Sequence, residues 1–596
     1  MLRFRCACVL SVPLVLCCAA AFAQNPVTFT THTSTAGLSP QDVYAVDINN
    51  DGIPDLIEDA TSGGSNTVSI AIANGDGTFQ APKQLYVLPM TYTNRAPMAY
   101  GDFNGDGNVD LVFAMNYTNQ LVVFLGNGDG TFQAPKIETV AFPSSEKFMG
   151  VQLLAADFNH DGKLDLAAFA SANAGGLYVL PGDGTGSFGA PRSIISPTVT
   201  GNLAVGDFDG DGNADIAVAE GIANGANALH VLYGNGSFGF TDSTVYTTSS
   251  SYFYFASGDI NSDGRTDLFG FPSGNKLMVW TSQPDRQWTT FSMDTTANLE
   301  QSTNLTTPPF MVADFNGDGN MDLGALGVLS GSGGTFQDVF DFFLANGSGG
   351  YEEQSVPTSD IGNLVAGDFN RELKPDVATI DGHLAYPGTG AQMTVGLNET
   401  ENGKWSPCAY PAKGQGIALC SPGSTSGSSV SLTASASSFG MLRKMELWID
   451  GKKIAEQHHT WGNRAWFNLT TTLSAGSHKV TLFAADIDNR LQKFTSTVQV
   501  GGSSCSAPTS AGVSLCQPAS GATVSSPVQV LATGKVTGTL ASMQLWVDGV
   551  KKSSESSSAT LQTTVSSLKS GTHRFAVLAV NTAGQKWESA VNATVQ

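Results

Sequence analysis

Seven nine-residue segments carry the chemistry of this chain. They read DINNDGIPD from Asp47, DFNGDGNVD from Asp102, DFNHDGKLD from Asp157, DFDGDGNAD from Asp207, DINSDGRTD from Asp259, DFNGDGNMD from Asp314 and DFNRELKPD from Asp368, at steps of 50 to 55 residues. The shared form D-x-[ND]-x-D-G-x-x-D sets side-chain oxygens at positions 1, 3, 5 and 9, with the backbone carbonyl of position 7 as a fifth donor. Carboxylates and an amide oxygen around one point make the donor set of a hard cation. Glycine at position 6 permits a turn that a Cβ resists. Calcium (Ca2+) is the expected occupant, because magnesium wants a tighter, more hydrated octahedron and no His or Cys donor serves a softer metal.

The expected donors are Asp47, Asn49, Asp51, Ile53 and Asp55; Asp102, Asn104, Asp106, Asn108 and Asp110; and Asp157, Asn159, Asp161, Lys163 and Asp165. Three more loops offer Asp207, Asp209, Asp211, Asn213 and Asp215; Asp259, Asn261, Asp263, Arg265 and Asp267; and Asp314, Asn316, Asp318, Asn320 and Asp322. Position 7 contributes only its carbonyl. In the seventh loop, residues 368–376, Glu372 replaces the Asp and Leu373 the Gly, so that site is expected to be empty or weak. Six ions per chain follow, held with dissociation constants on the order of 10⁻⁴ to 10⁻³ M. An EF-hand is excluded: its position-12 Glu has a counterpart only in Glu58, whereas the next two copies carry Phe113 and Ala168.

These loops need elements to hold them. Apolar runs flank each one, as Leu153 to Ala156 and Leu166 to Phe169 do, so each loop joins two strands as a hairpin. Further runs, Leu121 to Leu125, Leu177 to Leu180 and Leu229 to Tyr233, precede Gly/Asn turns, after which an outer strand is expected from Phe79, Phe132, Phe188 or Phe238. Four strands in roughly 54 residues, repeated, is the arithmetic of a β-propeller, here with seven blades. The fold class is all-β, and Val27 to Thr30 is expected to complete the last blade, with Trp405 to Tyr410 as the competitor.

Phe79-Gln80-Ala81-Pro82, Phe132-Gln133-Ala134-Pro135 and Phe188-Gly189-Ala190-Pro191, taken with the acidic loops, resemble the FG-GAP/VCBS repeats, the propeller also found at the head of integrin α-subunits. The resemblance covers residues 27 to 405. It implies calcium loops between the first and second strands of each blade on the lower face. Ligands would be taken on the upper face, by the loops joining strands 2 to 3 and 4 to 1. The upper-face candidates are Tyr92, Arg95, Tyr117, Phe148, Tyr252, Phe253 and Tyr254. Aromatic faces beside amides and hydroxyls suit sugar rings or protein loops, although alternate aromatics from Tyr252 to Phe255 would equally pack between blades.

The remaining chain frames this ring. Arg3 and Arg5, the apolar run Val9 to Ala21 and Ala21-Phe22-Ala23 describe a secretory signal peptide over residues 1–23; a lipoprotein signal at Cys17 or Cys18 fits less well after Leu16. The propeller takes 24–405, and two Ig-like β-sandwiches take 406–501 and 502–596. The sandwiches are tandem copies: MELWIDGKKI matches MQLWVDGVKK, each with an Asp-Gly hairpin turn and a Trp, Trp448 or Trp546. Cys408 is expected to pair with Cys420 and Cys505 with Cys516, each clip contributing about 3 kcal/mol in the loop-entropy picture. The linker Gly501 to Ser504 implies independent motion of the two sandwiches.

With 51 acidic against 29 basic residues the net charge is −22, which argues against nucleic acid or anionic lipid as partner. No stretch after the leader is long and apolar enough to be a transmembrane helix, and a monomer is expected. The histidines fall at unrelated offsets in different repeats, the repeated G-x-H of the sandwiches (His478, His573) reads as a turn, and G-x-S-x-G, HExxH and CxxC are absent. An acid pair such as the loop carboxylates Glu220 and Asp294 is the route left to catalysis. The leading expectation is a secreted or cell-surface calcium-binding propeller, not an enzyme, that recognises a glycan or surface protein. The alternatives are a propeller-based polysaccharide lyase or hydrolase and a structural surface-layer component.

Overall fold

The computed structural model describes residues 26–595 with breaks, the larger at 89–95, 196–201, 249–253, 300–309, 331–335, 381–391 and 402–407. Between Phe29 and Asn398 the described strands form seven antiparallel sheets. The first sheet shows the pattern: Pro40–Val46, Asp55–Ser62, Ser65–Ala71 and Lys83–Leu88 pair in chain order. Its acidic loop joins the first two strands, as in every later sheet. The second strands are the most apolar. Asp110–Met115 is buried at every residue, because it is covered on both faces by neighbouring sheets.

Hydrophobic cores therefore lie between sheets. Val46, Ile57 and Val68 of the first sheet pack with Met98, Leu111 and Phe124 of the second. Ile53, Leu56 and Ala71 pack with Phe369, Ala378 and Val395 of the last, so the sheets close into a ring. The closing sheet combines both ends of the ring. Phe29–Thr35 runs antiparallel to Gln392–Asn398, from Phe29 opposite Asn398 to Thr35 opposite Gln392. The N-terminal strand thus fills the place expected of it. Val27 is buried, its backbone NH donates to Gln354 Oε1 at 2.9 Å, and the Phe29 ring stacks on Phe342 at 5.3 Å.

The outer strands start later than the Phe-x-Ala-Pro motifs implied. They begin at Lys83, Lys136 and Arg192, while Phe79, Phe132 and Phe188 make single bridges to Ala73, Gly126 and Gly182. The proline lacks a backbone NH, so pairing resumes only beyond it. In the fourth sheet, which has no such proline, the strand starts at Phe240.

Two sandwiches follow with one topology. The first pairs Gly416–Ser421, Ser429–Ser437, Arg464–Thr472 and Thr460–Trp461 in one sheet, facing a five-stranded sheet that holds Leu442–Ile449 and Gly476–Asp486. The second repeats this arrangement around Val528–Lys535 and Leu540–Val547, with three described strands in the smaller sheet where the first has four. Asp450 and Gly451 (φ 51° and 81°) and Asp548 and Gly549 (φ 50° and 81°) turn left-handed at both central positions, as a two-residue hairpin requires. The disulfides Cys408–Cys420 and Cys505–Cys516 are formed. The Gly501 to Ser504 linker and residues 1–25 lie outside the described residues.

The G-x-H histidines are clamps. His478 Nδ1 lies 2.6 Å from an Asp450 carboxylate oxygen and Nε2 lies 2.8 Å from the Ser474 carbonyl oxygen; His573 repeats this with Asp548 and the Lys569 carbonyl. Both ring nitrogens face acceptors, which is the arrangement of an imidazolium. The hydrogen bond to Asp450 raises the His478 pKa above 6.5, and the same bond lowers that of Asp450. A raised imidazole pKa stabilises the fold fully below the unfolded value and ceases to do so as pH rises through the folded one. The sandwich transitions in calorimetry of the full chain should therefore fall between pH 6 and pH 9. The double variant His478→Asn, His573→Asn should lose that dependence; an unchanged profile would refute the clamp.

Candidate metal centres

Each loop is organised around its own oxygens. In the six complete loops the position-1 Oδ2 accepts the position-6 glycine NH: Asp47 from Gly52, Asp102 from Gly107, Asp157 from Gly162, Asp207 from Gly212, Asp259 from Gly264 and Asp314 from Gly319, at 2.8 to 3.1 Å. The position-3 oxygen accepts the position-5 NH, as Asn49 does from Asp51 at 2.9 Å, and Asp51 in turn accepts from Ile53 at 2.9 Å. The chain winds around the point toward which these groups face.

The glycines are needed for torsion and not for space. A Cβ at Gly107, Gly162 or Gly319 would meet nothing within 4 Å, but φ is 84°, 84° and 93°. Position 4 is also left-handed, a requirement the nonamer pattern conceals: Asn50, His160, Ser262 and Arg371 have φ from 58° to 65°, and glycine occupies 105, 210 and 317. Asn and Gly tolerate this region best. Their recurrence at position 4 was the available signal. In the seventh loop Leu373 takes φ 70° at position 6, a strained torsion for a branched side chain.

Position 9 has a second role. Asp55 accepts the NH of Ile48 with Oδ2 and of Ala73 with Oδ1; Asp110, Asp165, Asp215, Asp267, Asp322 and Asp376 do the same in their sheets, at 2.7 to 3.2 Å throughout. All seven are fully buried. The carboxylate ties the loop to the end of the third strand, and the seventh loop retains it although positions 5 and 6 have changed. Hydrogen bonds from two amides to a charged group fix its orientation strongly.

The carboxylates crowd together. One oxygen each of Asp207, Asp209 and Asp215 lies within 4.8 Å of the others. Burial, aided by neighbouring carboxylates, pushes Asp47 up to about 6 and Asp55, Asp110, Asp165, Asp259 and Asp314 up to about 7. The same causes hold Asp215, Asp267 and Asp322 well above the usual carboxylate range. In each complete loop the carboxylates outnumber the cations that pair with them. The oxygen-only donor set suits a hard divalent cation, which would relieve both burial and mutual repulsion.

Neighbouring loops also touch. Asn50 donates to Asn108 Oδ1 at 3.0 Å, and the turn after the third strand of each of the first three sheets reaches the preceding loop: Gly77 NH to Phe369 O, Gly130 to Ile48 and Gly186 to Phe103, at 3.0 to 3.2 Å. In the fifth sheet an arginine does this work. Arg286 Nε donates to Asp209 Oδ2 at 2.9 Å while its guanidinium lies 4.3 Å from the Tyr233 ring centroid. Asp209 alone has a carboxylate at position 3, where the other loops carry Asn, so the extra charge meets a dedicated cation.

Among the described residues, the aromatic candidates Tyr117 and Phe148 divide between surface and core. Tyr117 lies in the turn between Asp110–Met115 and Gln120–Phe124, 43% exposed with φ 62°. Phe148 is instead core: it is 1% exposed, packs edge-on against Phe142 at 5.1 Å, and bonds Tyr117 through its backbone. Its strand, Lys147–Ala156, extends further than the sequence implied and carries the ring between sheets. Tyr254 opens the strand Tyr254–Gly258, opposite Phe271, and Phe255 is buried. Tyr92, Arg95, Tyr252 and Phe253 lie outside the described residues. Glu220 and Asp294 are strand residues, in Asp215–Ile222 and Gln287–Asp294, where loop positions were expected.

The fold and its hairpin loops define a β-propeller built of acidic-loop repeats, carried with Ig-like sandwiches. The chain carries FG-GAP-like repeats, matched at residues 57–113, 102–168, 157–218, 207–270 and 259–325, and a bacterial Ig domain, matched at 512–577. It is 25% identical over 235 residues to the human T-cell immunomodulatory protein, covering 38% of this chain and 36% of that one. It is 34% identical over 132 residues to a homolog from Plasmodium yoelii yoelii, covering 20% and 18%. The chain thus spans about a third or less of the relatives it matches. Among solved structures, a lectin of Agrocybe aegerita that recognises non-reducing terminal N-acetylglucosamine aligns at TM-score 0.39 and 16% identity, over 54% of this chain and 81% of the lectin. The Dos1 propeller aligns at TM-score 0.33 and 12% identity, over 57% and 74%. Alignments this loose say nothing about ligands.

Proposed function

We propose that this protein is a secreted or surface-displayed recognition module: a propeller stabilised by six calcium ions, binding a glycan or surface protein and carried on two Ig-like spacers. It performs no covalent chemistry. The signal-peptide pattern of residues 1–23 and the two disulfides favour an oxidising, extracellular setting. No helix among the described residues is long and apolar enough to cross a membrane.

The observation that carries this reading is the division of labour between the faces of the ring. The acidic loops all join first to second strands, and their polar groups are engaged with one another and with adjacent loops. That leaves the opposite face for recognition, where Tyr117 stands exposed beside Asn116, Thr118 and Asn119. An aromatic ring with amide and hydroxyl neighbours serves a sugar face or a protein loop. Glycan-array and matrix-binding assays with calcium and with chelator test it. Binding that needs calcium and weakens several-fold in Tyr117→Ala is expected; no ligand in either assay would overturn the reading, and new reducing ends or unsaturated products from a polysaccharide would replace it with an enzyme.

A further inference from the structure

The last acidic loop and the first sandwich meet at one side chain. Arg464 opens the sandwich strand Arg464–Thr472, yet it reaches the ring: Nη2 donates to the carbonyl of Gly52 at 3.1 Å, and Nη1 lies 3.9 Å from Asp368 Oδ2. Its guanidinium rests 4.9 Å from the Tyr410 ring centroid, and the residue is 8% exposed. Gly52 belongs to the first loop and Asp368 to the seventh, so the arginine sits on the seam where the ring closes. Arg371 spans the same seam, 3.6 Å from Asp51.

Inside the seventh loop a second cation is already in place. Lys374, at position 7, donates from Nζ to the Asn398 carbonyl at 3.0 Å and lies 3.4 Å from Glu372. Lys374 and Arg464 together bring two positive charges to this loop, the charge that one divalent ion would bring. Burying a guanidinium is costly unless it is paired and hydrogen-bonded, and here the propeller supplies a carboxylate and a carbonyl while Tyr410 of the sandwich supplies an aromatic face.

We propose that Lys374 and Arg464 serve the seventh loop in place of a metal ion, and that Arg464 thereby latches the first sandwich to the ring at its closing seam. The sandwich is then held by a protein cation at the one loop that needs no calcium. Its placement should persist when calcium is removed.

Two measurements on the full chain test this. Asp368→Asn should leave the number of calcium ions bound, counted by equilibrium dialysis, unchanged; loss of one ion would overturn the replacement of metal by protein cations. For the latch, proteolysis between Thr400 and Cys408 is followed in chelator, so that this arm does not depend on the calcium reading. Cleavage follows the undocked population, and breaking a charge-assisted contact should accelerate it about tenfold. Arg464→Ala and Asp368→Asn should each do so, and the double variant should be no faster than either. Because Asp368 lies in the ring, its variant leaves the sandwich core untouched and keeps the test valid if Arg464→Ala fails to fold. Unchanged cleavage in Asp368→Asn, or effects that multiply in the double variant, would overturn the latch.

Discussion

Chelation of calcium should lower the melting temperature of the propeller by about 10 °C or more while leaving both sandwich transitions in place. At ten times its dissociation constant each independent site adds about 1.4 kcal/mol, so six sites contribute on the order of 8 kcal/mol. The sandwiches have no such loops, and their cores, around Val430, Leu447 and Phe467 or Val530, Leu545 and Phe575, are built of apolar side chains. The difference between calcium and chelator should also depend on pH, with a definite sign. Without metal, Asp47 stands at about 6 and Asp55, Asp110 and Asp165 at about 7, above the unfolded value of 3.8. Raised carboxylate pKa values destabilise the metal-free fold progressively as pH rises from about 4 through these values. Calcium removes that penalty, so its stabilising effect should be larger at pH 8 than at pH 5. Calorimetry of the full chain at both pH values decides the matter: a propeller transition indifferent to calcium would refute the metal assignment, and a larger effect at pH 5 would refute the electrostatic account of it.

Deleting residues 25–36 should be the most damaging change at the ring closure. The deletion removes one of the two partner strands of Gln392–Asn398, exposes an edge on the last sheet, and takes away the buried Val27 and the Phe29 ring packed on Phe342. Burial of two such side chains alone stabilises by about 3 to 6 kcal/mol, and the lost ladder adds to it. A fall of about 10 °C in the propeller transition is expected, with a greater tendency to associate through the open edge. An unchanged melt would mean that another segment closes the ring. Phe29→Ala, which keeps the strand and removes the ring, should reproduce only part of the fall.

These two effects lie at different depths of legibility. The loops could be read directly from residue types at fixed spacing, because each is a local structure: Asp47 and Gly52 meet five residues apart. The strand order followed as well, since a hairpin loop and a repeat of this length leave few topologies. What misled was local sequence without context. Phe148 looks like a loop aromatic and is core, because its strand extends beyond the apolar run that marks it. Phe79 looks like a strand start and makes a single bridge, because the proline three residues on delays pairing. The left-handed torsion at position 4 went unread for a different reason. His160, Ser262 and Arg371 also occupy it, and so they hide the preference that Gly105, Gly210 and Gly317 display.

The excess of acid has a similar history. Twenty-one Asp residues and Glu372 fall in the seven loops, 22 of 51 acidic residues. Loss of Arg3 and Arg5 with the leader would take the net charge from −22 to −24, and the twelve positive charges of six calcium ions would halve it. Somewhat under half of the acidic residues of the chain thus lie in these loops, each of which joins the first two strands of its sheet.

The repeat period, the acidic hairpin loops, the tandem sandwiches and both disulfide pairs could be read from the sequence alone, because each depends on residues close together or on a period that repeats. Only the tertiary structure decided how the ring closes, what position 9 holds together, and where Arg286 and Arg464 reach. The ring closure and the two arginine contacts join residues 357 or more, 77 and 96 positions apart, as in Thr35 with Gln392, Arg286 with Asp209 and Arg464 with Asp368. No local pattern encodes them. A lone arginine in a strand reads as a solvated charge until the fold brings a carboxylate and a carbonyl to meet it.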